Sequence, residues 1–261
     1  MQNKLSDFLS PIHQLGINKG DVLFVSSDIT RLLRDFYKQN REFPSLDDII
    51  DYLQSIVEES GTLIFPTYNW DFCHGEMWEY HKTKCETGVL GAAALKRKDF
   101  VRTQHPIYSY AVWGKDQELL CNMTNTSSFG ADSVFAYMAE KHAKNLIIDV
   151  CFTHCLTFVH YVEQNSGVVT YRYEKNFTAL YRDSQGSEST RTYSMFVRDL
   201  DLDVVCDFDP MEKQLLEMGI AKRLFIDDIP FTLLDMQASV APILEDIKNN
   251  RSRKLCKYIG Q

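Results

Sequence analysis

Three short apolar runs constrain this chain more than anything else in it: Val22–Ser27, Gly61–Pro66 and Asn145–Phe152. Each is short for a helix and too continuously apolar for a strand with one wet face. Runs of that kind belong to strands covered on both faces. Between the first two lies Leu46–Glu58, amphipathic at helical spacing, with Ser45 placed to cap it. Pro66 ends the second run because it has no amide hydrogen for a ladder. Helical patterns recur at Gly88–Arg97 and Asp132–His142, and a strand pattern at Tyr108–Gly114. Strands alternating with helices to about residue 165 predict βαβ units. The expected class is α/β, a central mostly parallel or mixed sheet flanked by helices.

The pattern changes beyond about residue 175. Phe177–Asp183 and Thr190–Val197 flank the turn Ser184-Gln185-Gly186-Ser187, which predicts an antiparallel hairpin. Pro210–Met218 and Leu234–Asn249 read as helices, with a short strand near Arg223–Ile226. The expectation is one domain over residues 1–261: a core of about 20–175 and a C-terminal α+β extension of about 176–261. A chain of 261 residues, 44% hydrophobic, can bury one such core.

Charge and cysteine content exclude some functions. The net charge of −8 is wrong for a protein that neutralises phosphates, so no nucleic-acid partner is expected. No apolar run is long enough to span a membrane, and the N-terminal residues lack a basic-then-apolar signal pattern. The seven cysteines are odd in number and scattered, as free thiols in a reducing cytoplasm would be.

The chemistry-bearing residues gather after the third run. Helical spacing places Thr153, Thr157, His160 and Gln164 on one stripe, with Leu156, Val159 and Val162 toward the core. A polar stripe at a strand-to-helix junction is where open α/β sheets place ligands. His160 can act as a general base, because imidazole is largely neutral at cellular pH. It needs an acceptor on its other ring nitrogen, and Glu163, Asp149 or a backbone carbonyl can supply one. Alternatively, His160 is a core histidine and Glu163 a solvated residue or a partner of Arg172 or Lys175. Cys151, His154 and Cys155 allow a thiol nucleophile. With Cys73, His74, His81 and Cys85 they allow a zinc site, although only His81 and Cys85 are well spaced for one. Buried thiols are the simpler reading. Polar residues also end several apolar elements: Ser26-Ser27, Thr67, Thr87-Gly88 and His105 to Ser109. They are suited to holding the amides and carbonyls of an extended ligand. Phosphate-loop, dinucleotide and nucleophile-elbow motifs are missing. The basic cluster Lys248, Arg251, Arg253, Lys254 and Lys257 reads as a solvated helix end.

Taken in order, these motifs resemble the aminoglycoside 3-N-acetyltransferase family, a fold distinct from the GNAT acetyltransferases. The resemblance covers roughly Gly20 to Lys175. It runs through Ser26-Ser27, Gly61 to Thr67, Gly88-Val89-Leu90-Gly91 and Arg102-Thr103-Gln104-His105-Pro106-Ile107-Tyr108-Ser109. It closes with Phe129-Gly130, Thr157-Phe158-Val159-His160-Tyr161-Val162-Glu163 and Tyr171-Arg172. It implies transfer of an acetyl group from acetyl-CoA to a primary amine, commonly on an amino sugar, without a metal. It matches His160 to the family's catalytic histidine and Glu163 to the acidic residue one turn later. Ser26, Ser27 and Thr67 match positions lining the pantetheine channel, and Thr87, His105 and Ser109 other cleft positions. The chain departs from the family at Val25, where a histidine often stands, and at Asp149, where glycine is common. Its aromatic, acidic loop Asn69–Lys84 also differs. The implied acceptor is a nucleotide-linked amino sugar of surface-polysaccharide pathways, a small amine or an antibiotic. Direct transfer is expected, with a Cys151 acyl-enzyme or a non-catalytic binding protein as alternatives. A homodimer is compatible with all of these.

Overall fold

A computed structural model describes residues 2–259. The chain starts on α1 (Gln2–Leu9) and enters the sheet at β1 (Val22–Ser27). Helices α2 (Thr30–Asn40) and α3 (Leu46–Val57) return it to β2 (Thr62–Pro66), parallel to β1 with Leu23 beside Leu63. α3 begins where the sequence predicts. The Ser45 side chain accepts from the Asp48 amide, and the Asp48 carboxylate accepts from the Ser45 amide. α2 was not expected, because its charged residues mask a short buried face of Leu32 and Phe36.

After β2 the aromatic loop holds a single turn at Asp71–His74 and the short β3 (Trp78–Glu79). Then come α4 (Val89–Ala94), β4 (Val101–Arg102), β5 (Tyr110–Gly114), α5 (Gln117–Cys121) and α6 (Val134–Glu140). Strand β6 (Lys144–Ile148) returns to pair parallel with β1, on the side away from β2. The connection leaving β1 runs to β2 on one side, and the chain leaving β6 re-enters the sheet through two later strands on the other. An open sheet forms its ligand crevice beside the C-terminal ends of strands at such a switch point.

The chain continues through α7 (Phe152–Cys155), α8 (Phe158–Ser166) and the hairpin β7 (Arg172–Arg182) and β8 (Glu188–Arg198). It ends with β9 (Val204–Cys206), α9 (Asp209–Glu217), β10 (Ala221–Ile226), β11 (Ile229–Asp235), α10 (Met236–Asn249) and β12 (Cys256–Tyr258). The main sheet has seven strands in the order β10-β11-β6-β1-β2-β5-β4. Only β6-β1-β2 is parallel, so the sheet is mixed, with helices on both sides. Two small sheets, β3-β7-β8 and β12-β9, stand beside it.

Two boundaries differ from expectation. Residues 229–235, partly read as helix, form β11 and pair antiparallel with β6. The change of pattern near residue 175 is thus a change of local structure, while the main sheet is completed by later residues. The strand expected over Asn145–Phe152 stops at Ile148 because Asp149 adopts a left-handed conformation, φ 54°. Aspartate is among the few residues that tolerate this, and Asp149 pairs with Arg31 of α2.

Alternation along the strands supplies both faces of the core. Leu23 and Val25 pack on the α3 side with Ile49 and Leu53. Val22 and Phe24 pack on the other side with Phe135, Phe158 and Val159. Burying each such side chain contributes about 1.5–3 kcal/mol before the entropy of ordering it. The second cluster fixes α8, and so the backbone that carries His160.

Candidate active site

The stretch carrying His160 is two helices. Leu156, at φ −85° and ψ 54°, separates α7 from α8, so the single polar stripe expected from the sequence is divided. Thr153 lies on α7, and its hydroxyl accepts from the Phe208 amide at 2.8 Å. Gln164 on α8 donates to Ser127 Oγ at 3.0 Å.

On α8 the i,i+3 spacing becomes a contact. His160 Nδ1 lies 2.7 Å from Glu163 Oε2. Glu163 is only 2% exposed. Its Oε1 accepts from the Tyr171 hydroxyl at 2.6 Å, and Arg172 Nε stands 2.9 Å from Oε2 as an ion pair. Burial opposes ionisation of this carboxyl. The facing His160, Arg172 and Tyr171 outweigh burial and hold its pKa below the ordinary value. An ionised carboxylate on Nδ1 fixes the ring proton there and leaves the lone pair on Nε2.

His160 sits between Phe129 and Phe208, with ring centroids 5.7 and 6.1 Å away, and its side chain stays 16% exposed. Burial first, and the Arg172 charge second, push its pKa below 6.5; Glu163 opposes them only in part. The ring is therefore mostly neutral at neutral pH. Arg172 completes the group: Nη2 approaches His160 Nε2 to 3.4 Å and donates to Cys206 Sγ at 3.1 Å. Of the acceptors weighed for Nδ1, Glu163 makes the bond, whereas Asp149 is committed to Arg31.

The strand-end hydroxyls divide into two groups. Ser26 is buried and donates to Asn145 Oδ1 at 3.2 Å. Thr67 and Ser109 are wholly buried, with hydroxyls 2.8 Å apart. Ser109 Oγ also donates to the Thr67 carbonyl at 2.7 Å and accepts from Arg102 Nε at 3.0 Å. Ser27 and Thr87 remain half-exposed at the C-terminal edge of the sheet. Thr87 Oγ1 accepts from the Tyr68 amide at 3.0 Å. Gly88 packs beside Ser27, where a Cβ would sit 3.4 Å from the Ser27 carbonyl, and its φ of +91° lies in the left-handed region that favours glycine.

The sequence did not single out Arg102. It is 4% exposed and, among the described residues, has no carboxylate partner. It donates to the carbonyls of Tyr80 (3.2 Å), Thr83 (2.6 Å) and Thr67 (3.3 Å) and lies over the Trp78 ring. One side chain thus ties the aromatic loop to the ends of β2 and β5. Its position two residues outside the Gln104–Tyr108 turn, beside buried aromatics, was the available signal.

His105 is also buried, but differently placed. Its Nδ1 accepts from the amides of Ile107 (3.3 Å) and Tyr108 (3.1 Å), and its ring meets Tyr193 of the hairpin edge-on. It lines a cavity of about 310 Å³ with Gln104, Thr124, Arg191 and Tyr193. Burial lowers its pKa to about 3.

The thiol and metal alternatives find little geometry. Cys151 is exposed and Cys155 half-buried. His81 faces the Ser184 carbonyl at 3.0 Å, and Cys85 faces the Pro66 carbonyl at 3.7 Å. Among the described residues no three His, Cys, Asp or Glu side chains converge as metal ligands, and no helix is long and apolar enough to cross a membrane.

The comparison that decides the family spans most of the chain: residues 38–245 match the family model described as aminoglycoside 3-N-acetyltransferase. The chain belongs to this family. It is thus an N-acetyltransferase of a CoA-dependent kind. Solved structures share its fold. One is AAC-IIIb in a binary complex with CoASH, 18% identical, with a TM-score of 0.75 over 94% of this chain and 96% of that one. Another is the aminoglycoside acetyltransferase AAC(3)-Xa, 17% identical, TM-score 0.75, covering 95% and 92%. A third is the YokD protein from Bacillus subtilis, 17% identical, TM-score 0.73, covering 97% and 94%. No curated protein sequence matches the chain significantly.

Proposed function

We propose that this enzyme transfers an acetyl group from acetyl-CoA directly to a primary amine of an amino sugar, nucleotide-linked or aminoglycoside-like. His160 is the general base and Glu163 its positioning partner. The observation that carries this reading is the 2.7 Å contact between His160 Nδ1 and Glu163 Oε2, which leaves Nε2 without a proton.

An amine is mostly protonated at neutral pH and must lose a proton to attack a thioester. His160 Nε2 accepts that proton, directly or through a water, which is worth ~10²–10⁴-fold. The resulting imidazolium is held by Glu163 through Nδ1. Burial first and Arg172 second keep the ring neutral beforehand, so the base is ready when the amine arrives. Acetyl-CoA, when bound, supplies the activated acyl thioester. The half-exposed hydroxyls of Ser27 and Thr87 meet its arm, while Ser26, Thr67, His105 and Ser109 hold the surrounding strand ends and turns in place. Holding amine and thioester together contributes up to ~7–11 kcal/mol in well-aligned cases. A reducing cytoplasm, which suits seven free thiols, completes the proposal.

The test is thiol release from acetyl-CoA, screened across aminoglycosides, nucleotide amino sugars and simple amines. Calorimetry measures CoA binding alongside it. His160→Ala is expected to lose turnover while binding CoA normally. Loss of turnover in Cys151→Ser but not in His160→Ala would assign the chemistry to the thiol instead.

A further inference from the structure

Cys206 and Cys256 stand directly opposite each other across the antiparallel β9–β12 pair. The backbone bonds set the kind of position they occupy. The Asp207 amide donates to the Leu255 carbonyl at 3.0 Å, and the Ile259 amide to the Asp203 carbonyl at 2.6 Å. Asp207/Leu255 and Asp203/Ile259 are therefore hydrogen-bonded positions. Cys206/Cys256, one residue further along, falls at a non-hydrogen-bonded position. There opposing Cα atoms approach to about 4.5 Å and both side chains leave the same face. That separation is inside the roughly 4.4–6.8 Å window of a disulfide. None of the other five cysteines has a cysteine across a strand pair among the described residues.

The pair also adjoins the His160 network from behind. Cys206 Sγ accepts from Arg172 Nη2 at 3.1 Å. Cys256 is buried against Tyr171. Tyr171 and Arg172 are the two residues that, with His160, compensate the buried Glu163 carboxylate. We infer that Cys206 and Cys256 form an oxidation site, which a peroxide converts to a cross-strand disulfide that releases Arg172 from Cys206 and slows acyl transfer. The effect on transfer rests on the proposed function above; the disulfide itself does not.

The chemistry balances with one equivalent of peroxide. Cys206 is the more open thiol, half-buried where Cys256 is 4% exposed. Its sulfur attacks the O–O bond, giving a sulfenic acid and one water. The Cys256 sulfur then displaces the sulfenic hydroxyl as a second water, and the S–S bond forms. The two thiols lose two protons and two electrons, and the peroxide is reduced. The new bond draws Cys206 Sγ toward β12 and away from Arg172 Nη2. Arg172 stays anchored through Nε at Glu163 and through Nη1 at the Phe196 carbonyl (3.2 Å). Nη2, the nitrogen nearest His160 Nε2, loses the acceptor that fixes it and turns from the ring, so less positive charge opposes protonation of His160.

The experiment treats the full chain with hydrogen peroxide, blocks remaining thiols by alkylation and maps peptides without reduction. A linked peptide joining Cys206 and Cys256 is expected, absent from Cys256→Ser and removed by dithiothreitol. Imidazole resonances followed by NMR should show the His160 pKa moving up on oxidation, a readout that needs no turnover. Thiol-release turnover should fall about tenfold and recover with dithiothreitol, well within the ~10²-fold that misplacement by an ångström costs. Cys151→Ser should respond to peroxide as the parent chain does. Alkylation of both Cys206 and Cys256 after treatment, with no link between them, would overturn the site. A link that leaves both the His160 titration and turnover unmoved would overturn its coupling to Arg172. A reduced enzyme that acetylates no amine would instead count against the acyl-transfer reading, and the mapped link would stand apart from it.

Discussion

Two histidines in this fold, one buried and one half-buried, are held in opposite ways. At His105, two backbone amides donate to Nδ1. The neutral ring must then carry its proton on Nε2, and burial lowers its pKa to about 3. At His160, a carboxylate takes Nδ1 and the lone pair is on Nε2. The first arrangement uses imidazole as a fixed acceptor that shapes a turn. The second makes it a base. What separates them is the group on Nδ1, a distinction that neither burial nor residue type conveys.

Removing the base should have the largest effect. His160→Ala is expected to lower kcat by ~10²–10⁴-fold with CoA affinity unchanged, measured by thiol release and calorimetry. Glu163→Gln is expected to lower kcat too, by up to ~10⁴-fold where the amide fixes the wrong ring tautomer and less where the ring keeps its acceptor but loses the negative charge that steadies the imidazolium. If Glu163→Gln were as active as the parent enzyme, the contrast between the histidines would fail.

The contrast also has a pH signature. Because His160 is depressed below 6.5, the acid limb of kcat/KM should lie below that pH, and Glu163→Gln should move it lower still. For stability, a depressed histidine pKa means that the unfolded chain takes up the proton first. The contribution of His105 is therefore complete above pH 6.5 and is lost as pH falls toward 3. The slope is at most ~1.4 kcal/mol per pH unit. His105→Ala should lose roughly 1–3 kcal/mol at pH 7, because two amides lose their acceptor, and should show a flatter acid decline in urea titrations. The smallest effect is expected for Cys151→Ser: an exposed thiol outside the His160 network should leave turnover unchanged.

Features set by local rules were legible in the sequence. The i,i+3 spacing of His160 and Glu163 on a helix is such a feature, and so is the helix cap at Ser45. The continuous apolar runs that become β1, β2 and β6 belong with them. Features set by distant partners were not. Residues 229–235 are a strand because β6 has an open edge there. Asp149 ends β6 because Arg31, over a hundred residues earlier, takes its carboxylate. The strand-end hydroxyls were read as one set, yet Thr67 and Ser109 turn inward because Arg102 occupies the space behind them. The Tyr171 and Arg172 contacts to Glu163 depend on where β7 begins, which spacing alone does not determine.

Arg102 carries one further consequence. Its charge is met by carbonyls and a hydroxyl, so dissolved ions have no carboxylate contact there to weaken. The Arg102 tie should therefore hold from dilute buffer to brine, whereas the same loop's Glu79–Arg182 ion pair, partly open to solvent, should weaken.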